Sequence, residues 1–115
     1  MATSPTQLTL RDMRVRGYYA EVVERFNSFT KTRNDFCGFI DVLCLGAGEV
    51  VGVQTTSYSN MSARIKKIKE HENLAVVLGS GIRVLIQGWR KGGNRWQVRE
   101  VEICAEPIDD AEDKE

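Results

Sequence analysis

An acid, an amide and two cations are spaced so that they could share one site. Asp41 interrupts the apolar run FIDVLCL, and Gln54, Thr55 and Thr56 close the next apolar run, EVVGVQTT. A carboxylate taken out of water without a partner costs several kcal/mol or surrenders its charge by binding a proton. Asp41 therefore requires a compensating group close by. GAGE separates the two runs as a turn; if they pair across it, residues near Asp41 face residues near Gln54, since both stand about equally far from the turn. The stretch MSARIKKI follows, where about 100° per residue sets Arg64 and Lys67 on the same flank of a Met61, Ile65 and Ile68 stripe.

The elements that would carry these residues read as follows. From Leu10 to Phe29, the recurrence of Val15, Tyr19, Val22, Phe26 and Phe29 at three- and four-residue spacing predicts an amphipathic helix. TKTRND breaks that pattern, and FCGFIDVLCL predicts a strand that is apolar on both faces and so central to a sheet. EVVGVQT is its antiparallel partner. SYSN offers serine and asparagine caps for the second helix, and ENLAVVLGSG either ends that helical region or contains a short strand, AVVL. IRVLIQGW and RWQVREVEI flank RKGGN as a C-terminal β-hairpin. The order helix, strand, strand, helix, strand, strand predicts a mixed α/β sandwich, and its hairpins argue against a purely parallel doubly wound sheet.

GFIDVLCL, GVQTTS and SARIKKI resemble the core of the PD-(D/E)XK nuclease superfamily, which includes restriction endonucleases, archaeal-type Holliday-junction resolvases and Mrr-like enzymes. The resemblance spans roughly residues 12 to 90. It implies a restriction-endonuclease-like mixed β-sheet flanked by two helices, in which a strand aspartate and a following (D/E/Q)xK strand bind Mg²⁺ and position the attacking water. Asp41 matches the aspartate and Gln54 the D/E/Q position, whereas Thr56 stands where lysine is expected. That lysine orients the water and stabilises charge developing at phosphorus, which a threonine can do only through a hydrogen bond. On this resemblance Asp41, Gln54, Thr56 and Lys67 are the catalytic set, with Lys67 or Arg64 replacing the absent strand cation. Asp41, Gln54 and Glu21 are the ligands of Mg²⁺ or Mn²⁺; Glu21 lies beside the buried stripe of the first helix, and Glu24 points nearly opposite its centre. Asp35 serves instead if its loop folds inward. The implied activity is metal-dependent hydrolysis of DNA, with branched DNA as one substrate. The alternative is a nuclease-fold DNA-binding or assembly module that has lost catalysis. A homodimer is compatible with either.

Trp89, Arg90, Lys91, Arg95, Trp96 and Arg99 gather cations and aromatics on the last hairpin. Arg90, Lys91 and Arg95, with Arg64 and Lys67, are the residues that would contact DNA phosphates, and an exposed tryptophan could stack on a base. Lys and Arg total 16 and Asp and Glu 16 over the 115 residues, but the segment 105–115, AEPIDDAEDKE, holds six acids and one lysine. Setting it aside leaves 15 bases against 10 acids. A basic domain at 1–104 with an acidic, disordered tail is therefore expected. No apolar run approaches the roughly 20 residues of a membrane span, and no signal-peptide pattern opens the chain, so a cytoplasmic protein without membrane contact is expected. Cys37, Cys44 and Cys104 lack zinc-site spacing and read as buried strand residues; His71, the only histidine, reads as a solvated helix residue.

Overall fold

A computed structural model of the chain describes residues 3–104. The acidic tail expected at 105–115 lies outside the described residues.

Helix α1, Pro5–Val15, opens with the Ser4 side chain accepting a hydrogen bond from the Gln7 amide at 3.2 Å and with proline in its first turn. It closes at Gly17, whose φ is 100°: the Gly17 amide donates to the Arg14 carbonyl and the Tyr18 amide to the Met13 carbonyl, a Schellman end. The helix expected over residues 10–29 therefore stops at Val15. Strands β1, Tyr19–Val22, and β2, Arg25–Asn27, follow instead, and the supposed stripe is exposed, Val15 by 82% and Phe29 by 97%. A glycine in the left-handed region outweighs a recurrence of apolar residues.

Strand β3, Thr32–Asn34, pairs with β2 as a separate two-stranded ribbon. The main sheet contains β1, β4 (Val42–Gly46), β5 (Glu49–Ser57), β6 (Ile82–Gly92) and β7 (Arg95–Ile103), in the order β1-β4-β5-β6-β7. β4 and β5 pair through a two-residue turn in which Ala47 and Gly48 both have positive φ, 54° and 75°, as a tight right-twisting hairpin requires. β5 and β6 are parallel, so the chain crosses between them through a 3₁₀ turn at Tyr58–Asn60, α2 (Met61–Lys69) and α3 (Leu74–Gly79). β6 and β7 run antiparallel. The expected mixed α/β sheet is thus present, with three α-helices among the described residues rather than two, and AVVL belongs to α3 rather than to a strand.

The sheet separates two apolar layers. Leu10 and Met13 of α1 pack with Ala20, Val42, Cys44, Val51, Val53 and Leu85 on one face. Met61, Ile68 and Val77 of α2 and α3 pack with Phe39, Ile40, Val84, Ile86 and Ile103 on the other. Consecutive residues of β5 consequently alternate between the α1 layer and the α2 layer. Arg83 in the middle of this arrangement reaches Glu49 of β5 at 3.0 Å and Glu102 of β7 at 2.8 Å, tying three strands together at the surface. Among the described residues no helix is long and apolar enough to cross a membrane.

The strand expected from Phe36 begins only at Val42. Residues 35–41 form a closed loop in which Phe36 and Ile40 bond to each other, and Cys37 and Gly38 have φ of 58° and 93°. Phe39 and Ile40 are nevertheless buried, which is why the run looks like a central strand, whereas Leu45 at the far end is 44% exposed. Gly52 exists to receive this loop: a Cβ there would stand 2.5 Å from Cδ1 and 2.9 Å from Cγ1 of Ile40, which is fully buried. Gly52→Ala is expected to destabilise the protein by about 1–3 kcal/mol through overpacking. Urea unfolding measures it, and an unchanged midpoint would refute the packing described.

Candidate functional site

Asp41 is pinned at three points. Its amide donates to the Val53 carbonyl at 2.9 Å, its carbonyl accepts from the Val23 amide at 2.8 Å, and its Oδ2 accepts from the Thr55 amide at 2.9 Å. The first bond joins it to β5. The second fixes the end of β1, and so places Glu24, the next residue. The loop closed by Phe36 and Ile40, with the Gly38 amide donating to the Asp35 carbonyl at 2.9 Å, turns Asp35 back toward the same point. Carboxylate oxygens of Glu24, Asp35 and Asp41 consequently lie within 4.8 Å of one another.

Three acids so close cannot all remain ionised when one is withdrawn from water. Asp41 is 7% exposed, and burial pushes its carboxyl up to about 7, opposed by the Thr55 amide and reinforced by Asp35, which shares a hydrogen bond with it, and by Glu24. The compensation that the sequence demands is thus an amide and a proton.

A cavity of about 280 Å³ opens over the acids, lined by Thr6, Glu24, Asp35, Asp41, Thr55 and Arg64. Thr6 of α1 donates to Glu24 Oε1 at 3.5 Å and lies 3.4 Å from the Thr55 hydroxyl. Asp35 and Arg64 also belong to the wall of a second cavity of about 610 Å³, together with Phe39, Gln54, Lys67 and His71. Gln54 is 3% exposed; its Nε2 donates to the Phe39 carbonyl at 2.9 Å, which fixes the amide's orientation and leaves Oε1 buried with no hydrogen-bond partner among the described residues. An acceptor in that condition is costly unless something donates to it.

Oxygen donors alone make up the acidic cluster, a set that suits a hard divalent cation such as Mg²⁺ or Mn²⁺ and not a soft one. The raised carboxyl of Asp41 also fits: a dication in that cavity would take the place of the proton.

Of the acidic ligands expected, Asp41 is in the cluster and Glu21 is not. Glu21 lies on exposed strand β1, where it accepts from the Tyr19 hydroxyl at 3.0 Å; the position beside a helical stripe disappears because the segment is not a helix. Gln54 faces the α2 layer, opposite to Thr55. Thr56 is buried and lines neither cavity. Lys67 lines the larger cavity, and Arg64 stands at the junction of the two. Arg90, Lys91 and Arg95 lie elsewhere: Arg90 stacks 4.3 Å over the Tyr58 ring and donates to Gln97, Lys91 lies 5.7 Å over Trp96, and Arg95 is exposed at the start of β7. Trp89 is buried, its Nε1 donating to Thr9 at 3.0 Å, and Trp96 is 39% exposed. His71 is not a free helix residue, because its ring meets Phe39 edge-on and its Nδ1 accepts from the Asn73 amide. Of the cysteines only Cys44 is a buried strand residue; Cys37 is half-buried in the 35–41 loop and Cys104 is exposed. Glu24 and Thr55 were missed, and alternation along β5 with Thr55 beside Asp41 was the available signal for the second.

No protein-family model matches the chain, and neither a curated protein nor a solved structure matches it.

The folded protein keeps a proton on Asp41 that the unfolded chain loses above about pH 4. The associated stability is complete below that pH and is lost as pH rises through about 7. With chelator present, Asp41→Asn should remove most of this pH dependence and be more stable than wild type at pH 8 by roughly 2 kcal/mol. Denaturant melts from pH 4 to 8 test it, and parallel pH profiles for the two proteins would contradict it.

Proposed function

We propose that the protein is a metal-dependent nuclease-like domain that hydrolyses DNA phosphodiester bonds at the Glu24, Asp35 and Asp41 cluster. The convergence of three carboxylates beneath a cavity that Arg64 also lines carries this reading. Glu24, Asp35 and Asp41 would hold Mg²⁺ or Mn²⁺, whose chemistry when bound is to acidify a water and screen phosphate charge.

The chain's own residues supply the rest. The Thr55 amide holds the Asp41 carboxylate in one orientation. Arg64, from α2, offers a planar pair of donors to phosphate oxygens and takes the place of the cation that Thr56 cannot provide. Lys67 on the adjoining cavity is suited to a neighbouring phosphate. The basic balance of residues 1–104 favours a polyanion.

A second reading, a DNA-binding module of this type that has lost hydrolysis, is favoured by one observation: Thr56 is buried away from the carboxylates, so β5 contributes no cation to them.

Incubation of labelled linear duplex, single-stranded and four-way-junction DNA with Mg²⁺ or Mn²⁺ separates the two. Cleavage is expected, with a loss of at least about 100-fold in Asp41→Asn and about 100-fold in Arg64→Ala. Cleavage undiminished in Asp41→Asn would remove the assigned site. Binding without cleavage in either metal would select the second reading.

A further inference from the structure

We propose that the β2–β3 ribbon is a wedge that stacks on unpaired bases, which makes interrupted duplex DNA, a fork or a branch, the substrate class; the proposal rests on the nuclease reading above. The ribbon is attached to the site at both ends. Glu24 immediately precedes β2 and Asp35 immediately follows β3, so two of the three clustered carboxylates are the ribbon's own feet.

Its far end is apolar and ordered. Phe29 at the tip is 97% exposed and Phe26 on β2 is 63% exposed. Two large rings left in water forgo the stabilisation that burial would give them, so neither serves the packing of this fold. The tip is nonetheless held in shape: the Asn27 Oδ1 atom accepts from the Phe29 amide at 2.9 Å and from the Thr30 amide at 3.3 Å, and the Thr30 and Thr32 hydroxyls are 2.6 Å apart. A ring presented on a preordered turn loses little freedom on contact. The segment 25–34, RFNSFTKTRN, contains three basic residues and no acid.

That combination selects nucleic acid over an apolar protein groove. Apolar side chains carried by basic elements enter between base steps where stacking is already weakened, and aromatic rings stack on single bases without regard to sequence. Three strand residues at about 3.3 Å each put the tip roughly 10 Å from the carboxylates. This is about three steps of 3.4 Å along a strand. Cleavage should therefore fall within about three nucleotides of the point where pairing stops.

The test uses the full chain and a fork with 2-aminopurine at the first unpaired position, compared with linear duplex of equal length. Binding is read in Ca²⁺ by anisotropy and base fluorescence, and cleavage by the same preparations in Mg²⁺ or Mn²⁺. Wild type is expected to bind the fork about tenfold more tightly than duplex and to change the 2-aminopurine signal. Phe29→Ala should reduce fork affinity to the duplex level while leaving duplex affinity unchanged, and Phe29→Trp should restore it. Equal fork binding by Phe29→Ala and wild type would overturn the wedge. So would sedimentation in which Phe29→Ala converts a dimer to a monomer without changing DNA affinity, since a second copy of the chain would then be what covers the ring. If Asp41-dependent cleavage persists without any Phe29 effect, the wedge alone falls; if Phe29-dependent fork binding occurs without cleavage, the nuclease reading alone falls.

Discussion

Withdrawing the Asp41 carboxylate from water beside Asp35 and Glu24 is the constraint to which the surrounding structure answers. Desolvation and like charge both oppose an ionised Asp41, and a single backbone amide, that of Thr55, works in the other direction. Such a group persists only where its position is fixed from several sides. Here the Asp41 peptide is bonded to β5 through Val53 and to the end of β1 through Val23, so the geometry that gathers the acids is also part of the sheet. The unfavourable charge arrangement and the strand pairing cannot be separated by moving one side chain.

The loop that delivers Asp35 is locked from the opposite face of the sheet. Gly38, with a positive φ, passes so close to His71 that a Cβ would lie 2.5 Å from its Nε2, and Asn73 donates to the Cys37 carbonyl at 3.0 Å. His71 and Asn73 belong to the connection between α2 and α3. The helix that carries Arg64 and Lys67 is therefore mechanically linked to the loop that carries Asp35. Acids and cations reach the site from different layers, yet they share one packed junction around Phe39 and His71.

Legibility in the sequence followed the range of the interactions involved. The pairing of β4 with β5 was readable because a short glycine-containing turn sets the register and because Asp41 and Gln54 stand nearly symmetrically about it. Asp41 itself was conspicuous as an acid among apolar residues. The first thirty residues were misread because Val15, Tyr19, Val22, Phe26 and Phe29 imitate a helical repeat, although Gly17 already carried the stop. That error decided between Glu21 and Glu24 by a helical angle that does not exist. On β5 the motif spacing drew attention to Gln54 and Thr56, whereas a period of two puts Thr55, the residue whose amide grips Asp41, on the acidic face. Closure of the 35–41 loop depends on a bond between Phe36 and Ile40 and on contacts with residues some thirty positions away, which no local pattern announces.

The two feet of the ribbon also bear on how the chain can vary. Glu24 is placed through Val23 and Asp35 through its own loop, so neither depends on the number of residues between them. Lengthening a flexible connection twofold costs only about 0.6 kcal/mol in closure entropy. Residues 25–34 thus form a cassette that insertion or deletion can remodel while the acids stay in register, and the length of the ribbon can diversify independently of the carboxylates beneath it.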